Sequence, residues 1–172
     1  RAMSDYDDCI RKSPAFSPAY CSRALLYTQF GHLESALVDF NRSIQLDSKY
    51  VNAYIGRSYL DSLRTEDERL EDIEMAIKLD SKNAVCFFTR AQFFFKNEAF
   101  ELSMEDLDKA IKIDPNYVKA YAQRGLIYQN VYHKPKKALA DFNRAVSRKL
   151  YNSAIFFTSQ TAGAPLQKFS SS

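Results

Sequence analysis

Ser-Ile-Gln-Leu-Asp-Ser-Lys-Tyr, residues 43–50, returns as Ala-Ile-Lys-Leu-Asp-Ser-Lys-Asn at 76–83 and as Ala-Ile-Lys-Ile-Asp-Pro-Asn-Tyr at 110–117, at separations of 33 and 34 residues. An aromatic, arginine and small-residue set keeps the same phase: Tyr20, Arg23 and Ala24; Tyr54, Arg57 and Ser58; Phe87, Arg90 and Ala91; Tyr121, Arg124 and Gly125. A fixed period of this length marks a repeat architecture, in which each unit cannot bury its own apolar face and stacking supplies the core. Within each copy the apolar residues recur three and four apart in two stretches, which predicts two amphipathic helices joined by a short turn. Four Gly and five Pro in 172 residues suit long helices better than an all-β fold rich in tight turns.

Local signals agree with paired helices. Ser17-Pro18 reads as an N-cap followed by a proline in the first turn, and Thr65 with Glu68 reads as a capping box. Gly31 and Asn97 stand where a left-handed residue would close a helix, and Pro135 can open the last one. Small residues face each other where two helices of a copy cross: Ala24 with Ala36, Ala91 with Ser103, Gly125 with Ala138. The second copy departs, placing Ser58 opposite Arg69 or Leu70, which predicts a more splayed hairpin.

These residues resemble the tetratricopeptide repeat (TPR), a unit of about 34 residues. Its pattern is an aromatic at position four, a small residue at eight and an aromatic at eleven, then small residues at twenty and twenty-seven, an aromatic at twenty-four and Pro near thirty-two. Residues 17–50 supply Tyr20, Ala24, Tyr27, Ala36, Phe40 and Ser43, and residues 84–117 supply Phe87, Ala91, Phe94, Ser103, Leu107, Ala110 and Pro115. The resemblance implies an all-α fold, a right-handed superhelical solenoid of antiparallel helix hairpins. It divides the chain into the second helix of a truncated repeat (1–16), four TPR units (17–50, 51–83, 84–117 and 118–150), and a partial capping helix with a tail (151–172). The second unit is one residue short near Arg64 to Arg69, and the fourth has one extra around His133 to Pro135. Because Ala2, Tyr6, Cys9 and Pro14 fit the second-helix frame, the chain is expected to be part of a longer array.

Composition narrows the function. A 46% hydrophobic content supports a core, and no stretch approaches the roughly 18 consecutive apolar residues of a membrane span, so a soluble domain is expected. Cys9, Cys21 and Cys86 are odd in number and lack disulfide or zinc-ligand spacing, which points to buried thiols in a reducing, intracellular and cytoplasmic setting. His32 and His133 lie in different turns without ligand partners, and no phosphate loop, dinucleotide fingerprint or nucleophile elbow occurs. No enzyme, metal or cofactor is expected.

Two residue sets stand out. Arg23, Arg57, Arg90 and Arg124 are each followed 15 to 17 residues later by Asp39, Asp72, Asp106 or Asp141, a spacing that puts each Asp of a second helix near a first helix of the same or the following repeat and allows charge-assisted pairing. Their expected role is a structural ladder. The resemblance further implies that first-helix residues line a concave groove, here Leu25, Ile55, Tyr59, Phe88, Gln92, Phe95, Lys119 and Leu126, with Phe88 and Phe95 as the preferred anchors. The family's two-Lys, two-Asn and Arg clamp for a terminal carboxylate does not map, since Cys21, Leu25, Gly56, Val85 and Thr89 stand in its place. Residues 1–108 carry 13 Lys/Arg and 19 Asp/Glu, net −6, whereas residues 109–172 carry 11 and 2, net +9. The basic end suits an acidic flank on a partner. The expected function is a protein-protein interaction scaffold or adaptor taking a partner segment, apolar with an acidic flank, in its groove. The alternative is a regulatory or self-associating, homo-oligomeric repeat domain of a larger protein. Nucleic acid is disfavoured because no aromatic motif interleaves with the basic patch.

Overall fold

The structure, a computed structural model, describes residues 2–147. The expected capping helix and tail at 151–172, and Arg148 and Lys149 of the basic end, lie outside the described residues. Every regular element is helical: α1 (Ala2–Lys12), α2 (Ser17–Gln29), α3 (Leu33–Leu46), α4 (Val51–Ser58), α5 (Glu66–Leu79), α6 (Ala84–Lys96), α7 (Phe100–Ile113) and α8 (Val118–Asn130), then α9 over 135–147. They fall into two compact units, one ending at Ile113 and one beginning at Asp114. In the first unit α2 pairs with α3, α4 with α5 and α6 with α7, and each hairpin leans on the next through α3 against α4 and α5 against α6.

Helix ends follow from local chemistry. Thr65 Oγ1 accepts the Glu68 N–H at 3.3 Å while Glu68 Oε2 accepts the Thr65 N–H at 2.8 Å, so two orphan donors at the start of α5 are satisfied reciprocally. The Thr65 N–H, and after it the charge of Arg64, hold the Glu68 carboxyl below the ordinary carboxylate range. Gly31, with φ +77°, is the left-handed residue that follows α2.

Two expected caps lie elsewhere. Ser17 is already inside α2, and Phe16 holds the cap position. The Ser17 hydroxyl is buried and crosses to α3, donating to the Ser43 carbonyl at 2.9 Å, while the Ser43 hydroxyl donates to the Ser17 carbonyl at 3.0 Å. A buried hydroxyl must be paired, and this crossing offers both a donor and an acceptor. Asn97 has φ −93°, and it is the next residue, Glu98 at φ 57°, that turns left-handed. The reason is register: the left-handed position is the one after the cap, as with Phe30 and Gly31 at the end of α2.

The core of the first unit runs along the helix crossings. Cys21, Ala24, Ala36, Phe40, Ala53 and Leu60 form one buried cluster, and Tyr54, Ile55, Ala76 and Cys86 form the next. Phe40 of α3 seats on Gly56 of α4, where a Cβ would come within 2.3 Å of its ring. In the second unit the Phe142 ring lies over Gly125 in the same manner, with 2.7 Å left for a Cβ. The second hairpin departs in its first helix: α4 has 8 residues, whereas α2, α6 and α8 have 13. At the place of the small residues Ala36, Ser103 and Ala138 stands Arg69, itself buried, whose Nε donates to the Ser58 carbonyl at 2.7 Å. A cation thus caps the last residue of a helix that stops early.

Gly56→Ala is expected to overpack the Phe40 contact and destabilise the protein by about 1–3 kcal/mol, read as a lower urea midpoint with an unchanged slope. The thiols give a second test. Burial pushes Cys21 and Cys86 from an ordinary pKa of 9.0 up to about 11. A raised folded pKa stabilises fully below pH 9.0, and that contribution is lost as pH rises toward about 11. In native protein a thiol reagent should modify the half-buried Cys9 first, with Cys21 and Cys86 reacting only on unfolding.

Candidate partner-binding face

Each arginine of the ladder meets its aspartate in a two-bond fork. Arg23 Nε and Nη2 reach Asp39 at 2.7 and 2.8 Å, and Arg57 reaches Asp72 at 2.9 and 2.5 Å. Arg90 reaches Asp106 at 2.7 and 3.0 Å, and Arg124 reaches Asp141 at 2.8 and 2.7 Å. The aspartates are buried and the arginines nearly so. Every guanidinium also lies over an aromatic ring of its own helix, Tyr20, Tyr54, Phe87 or Tyr121, at 5.6 to 5.9 Å. The Asp39 hydrogen bond raises the Arg23 pKa above its already high value, and Asp106 does the same for Arg90, so both stay charged. A further contact joins neighbouring hairpins: Arg23 Nη1 bonds Asp7 of α1 at 2.7 Å and Arg57 Nη1 bonds Asn41 of α3 at 2.6 Å. Asp7 and Asn41 are 34 residues apart, a phase visible in the sequence but not singled out there.

The expected groove residues divide by register. Ile55 and Phe88 are buried, at 8% and 6% exposure, so neither presents an anchor. The cause is stacking: Ile55 joins the cluster with Cys86 of the following hairpin, and Cys21, at the matching position of α2, is buried against Ala53 and Leu60. Phe95 is half-buried, its ring edge-on to Phe100 at 5.7 Å within its own hairpin. The row four residues further along the first helices stays open. Leu25 and Tyr59 are 50% and 46% exposed, and Gln92 is half-buried. Tyr59 donates to Gln92 Oε1 at 3.0 Å, which fixes the second and third hairpins in register on this face. In the second unit, Leu126 occupies the same repeat position at 41% exposure, and Lys119 is exposed.

Behind Tyr59 the short α4 leaves a cavity of about 240 Å³ lined by Ser58, Tyr59, Asp61, Arg69, Thr89, Gln92, Phe93 and Lys96. Sequence reasoning noticed Arg69 as out of place but missed this consequence. Among the described residues no group of three or more His, Cys, Asp or Glu could hold a metal ion, and no helix is long and apolar enough to cross a membrane.

Family models for repeats of one kind match the chain twice: "Tetratricopeptide repeat" over 17–50 and "TPR repeat" over 91–131. The chain carries tetratricopeptide repeats. Among curated relatives it is 28% identical to human Tetratricopeptide repeat protein 6 over 160 residues, covering 91% of this chain and 30% of that protein. It is also 28% identical to Hsp70-Hsp90 organizing protein 3 of Arabidopsis thaliana over 149 residues, covering 82% and 25%. The chain therefore spans less than a third of the length of these relatives. A thermophilic TPR protein of Thermus thermophilus shares the fold at a TM-score of 0.78 and 12% identity, over 93% of this chain and 88% of that one, and MamA does so at 0.68 and 17%, over 88% and 89%. The fold is the all-α TPR fold.

Because the forked pairs are buried, removing one partner strands the other charge, at a typical cost of about 3–5 kcal/mol. Arg90→Ala should lower the melting temperature clearly, and Arg90→Lys should recover only part of the loss because an ammonium cannot make the fork. Thermal unfolding followed by circular dichroism reads both.

Proposed function

We propose that this TPR chain is an interaction scaffold that receives an extended, largely apolar segment of another protein along the open face of its first helices. The observation that carries this reading is the row Leu25, Tyr59 and Gln92, in which Leu25 and Tyr59 stay exposed and Gln92 half-buried at one repeat position of successive hairpins, while Cys21 and Ile55 in the row beside them are buried. Exposed aromatic and aliphatic groups held on rigid helices make good anchors because little side-chain freedom is lost on binding. In the second unit, Leu126 and Lys119 would form a corresponding face of its own. The basic residues there, among them Lys134, Lys136, Lys137 and Arg144, suit an acidic flank of the partner segment and would steer its approach. The similarity to an Hsp70-Hsp90 organizing protein favours a protein partner, and three free thiols suit a reducing, cytoplasmic setting.

Affinity capture tests the proposal with Leu25→Asp/Leu126→Asp on the open face and Val38→Asp on the opposite helices, where Val38 is 66% exposed. All three positions are exposed, so folding should be unaffected. Partner recovery should fall for the first variant alone, by about tenfold if each leucine acts as a minor anchor. Equal recovery from both variants would defeat the proposal. Sedimentation at several concentrations separates hetero-association from self-association, which would appear as concentration-dependent dimer without any partner.

A further inference from the structure

We infer that the cavity behind Tyr59 is a binding site for a single carboxylate, the side chain of an Asp or Glu on the partner segment; this rests on the scaffold reading for its occupant but not for its chemistry. Arg69 carries the argument. Arg69 is 8% exposed as a residue, and of its donors only Nε is used, in the bond to the Ser58 carbonyl. Neither Nη group makes a hydrogen bond among the described residues, although the guanidinium lines the cavity and lies over the Phe93 ring at 5.5 Å. The free Nη donors are not buried but open onto this half-enclosed cavity, and the fork they present matches a carboxylate.

The rest of the lining completes the case. Asp61 does not neutralise Arg69, because it is hydrogen-bonded to Lys96; that bond, more than the charge of Arg69, holds the Asp61 carboxyl below its ordinary range. Arg69 and Lys96 against Asp61 leave one positive charge, complementary to one anion. Gln92 spends Oε1 on the Tyr59 hydroxyl, which also lies 3.2 Å from Thr89 Oγ1, and Gln92 Nε2 makes no hydrogen bond among the described residues. Two kinds of donor therefore face about 240 Å³, room for a short acidic side chain. A chain terminus offers the same group, and the test separates the two sources. The acidic surroundings, net −6 over residues 1–108, disfavour a polyanion and admit an isolated carboxylate in an apolar stretch.

The test titrates the 172-residue chain with capped Ala-Glu-Ala, capped Ala-Gln-Ala, an Ala-Ala-Ala peptide with a free carboxyl terminus, and sodium acetate, following the Arg69 Nε–H and Gln92 side-chain amide signals by nitrogen-15 NMR. The Glu peptide should shift both signals saturably at millimolar concentration, and the Gln peptide should not. Arg69→Met should weaken binding by about tenfold or more. If that variant fails to fold, Lys96→Met, at an exposed position, should still weaken it severalfold. Equal response to the Glu and Gln peptides, or no saturable shift, overturns the inference. Tighter binding of acetate or of the free carboxyl terminus overturns the assignment to a side chain. No partner is needed for this readout, so loss of the capture result above and loss of this one are separate outcomes.

Discussion

The structure depends on what a buried aspartate requires. Asp39, Asp72, Asp106 and Asp141 each sit on a second helix with their carboxylates removed from water, and each is answered by two N–H donors from an arginine on the paired first helix. Such a pair need not stabilise more than an apolar pair of equal size would, since desolvating two charges offsets most of their attraction. Its effect lies in geometry. A fork fixes both distance and orientation, so a hairpin that slides by one residue loses two charge-assisted bonds and strands a buried ion. The third arm of Arg23 and of Arg57 then carries this register to the preceding helix at Asp7 and Asn41. Hairpin closure and hairpin stacking are coupled through one side chain.

Against that regular frame, the second hairpin shows what a single departure does. Its crossing position holds Arg69 in place of a small residue, and a side chain of that size cannot share the space that α3 and α7 leave to α2 and α6. Helix α4 ends at Ser58, five residues sooner than its counterparts, and the freed carbonyl becomes the acceptor for the intruding cation. Leu60 folds into the core in compensation, at 1% exposure. The ladder survives because Arg57 lies within the part of α4 that remains, and Asp72 gains a second cation in Arg64 at 3.4 Å. A local cavity is thus produced without loss of register, and repeat folds, stabilised largely by neighbour contacts, tolerate this well.

The repeat period and the Arg to Asp spacing made the hairpins and their internal pairing readable from residues alone, because both are properties of a one-dimensional phase. What escaped was anything set by the stacking distance between hairpins. Ile55 looks like a surplus apolar group within one repeat, and becomes core only when the following hairpin brings Cys86 against it. Leu25 and Tyr59, four residues on, are no more apolar in sequence terms, yet the same stacking leaves them open. The Ser17 hydroxyl was misread for a related reason, as a local cap when its partner lies on another helix, 26 residues away. Arg69 was visible as an anomaly, but its cavity follows from the lengths of three helices at once.

Rigidity and recognition are tied together in this arrangement. The side chains of the open row are held by the same helices whose arginines fix register, and the Tyr59 to Gln92 bond spans two hairpins on the open side. A segment received as proposed would meet side chains whose spacing is already set, so its own ordering would be the main entropic cost of association. That spacing is the repeat itself. A partner would then be selected less by any one contact than by whether its apolar groups fall at the interval at which Leu25 and Tyr59 are presented.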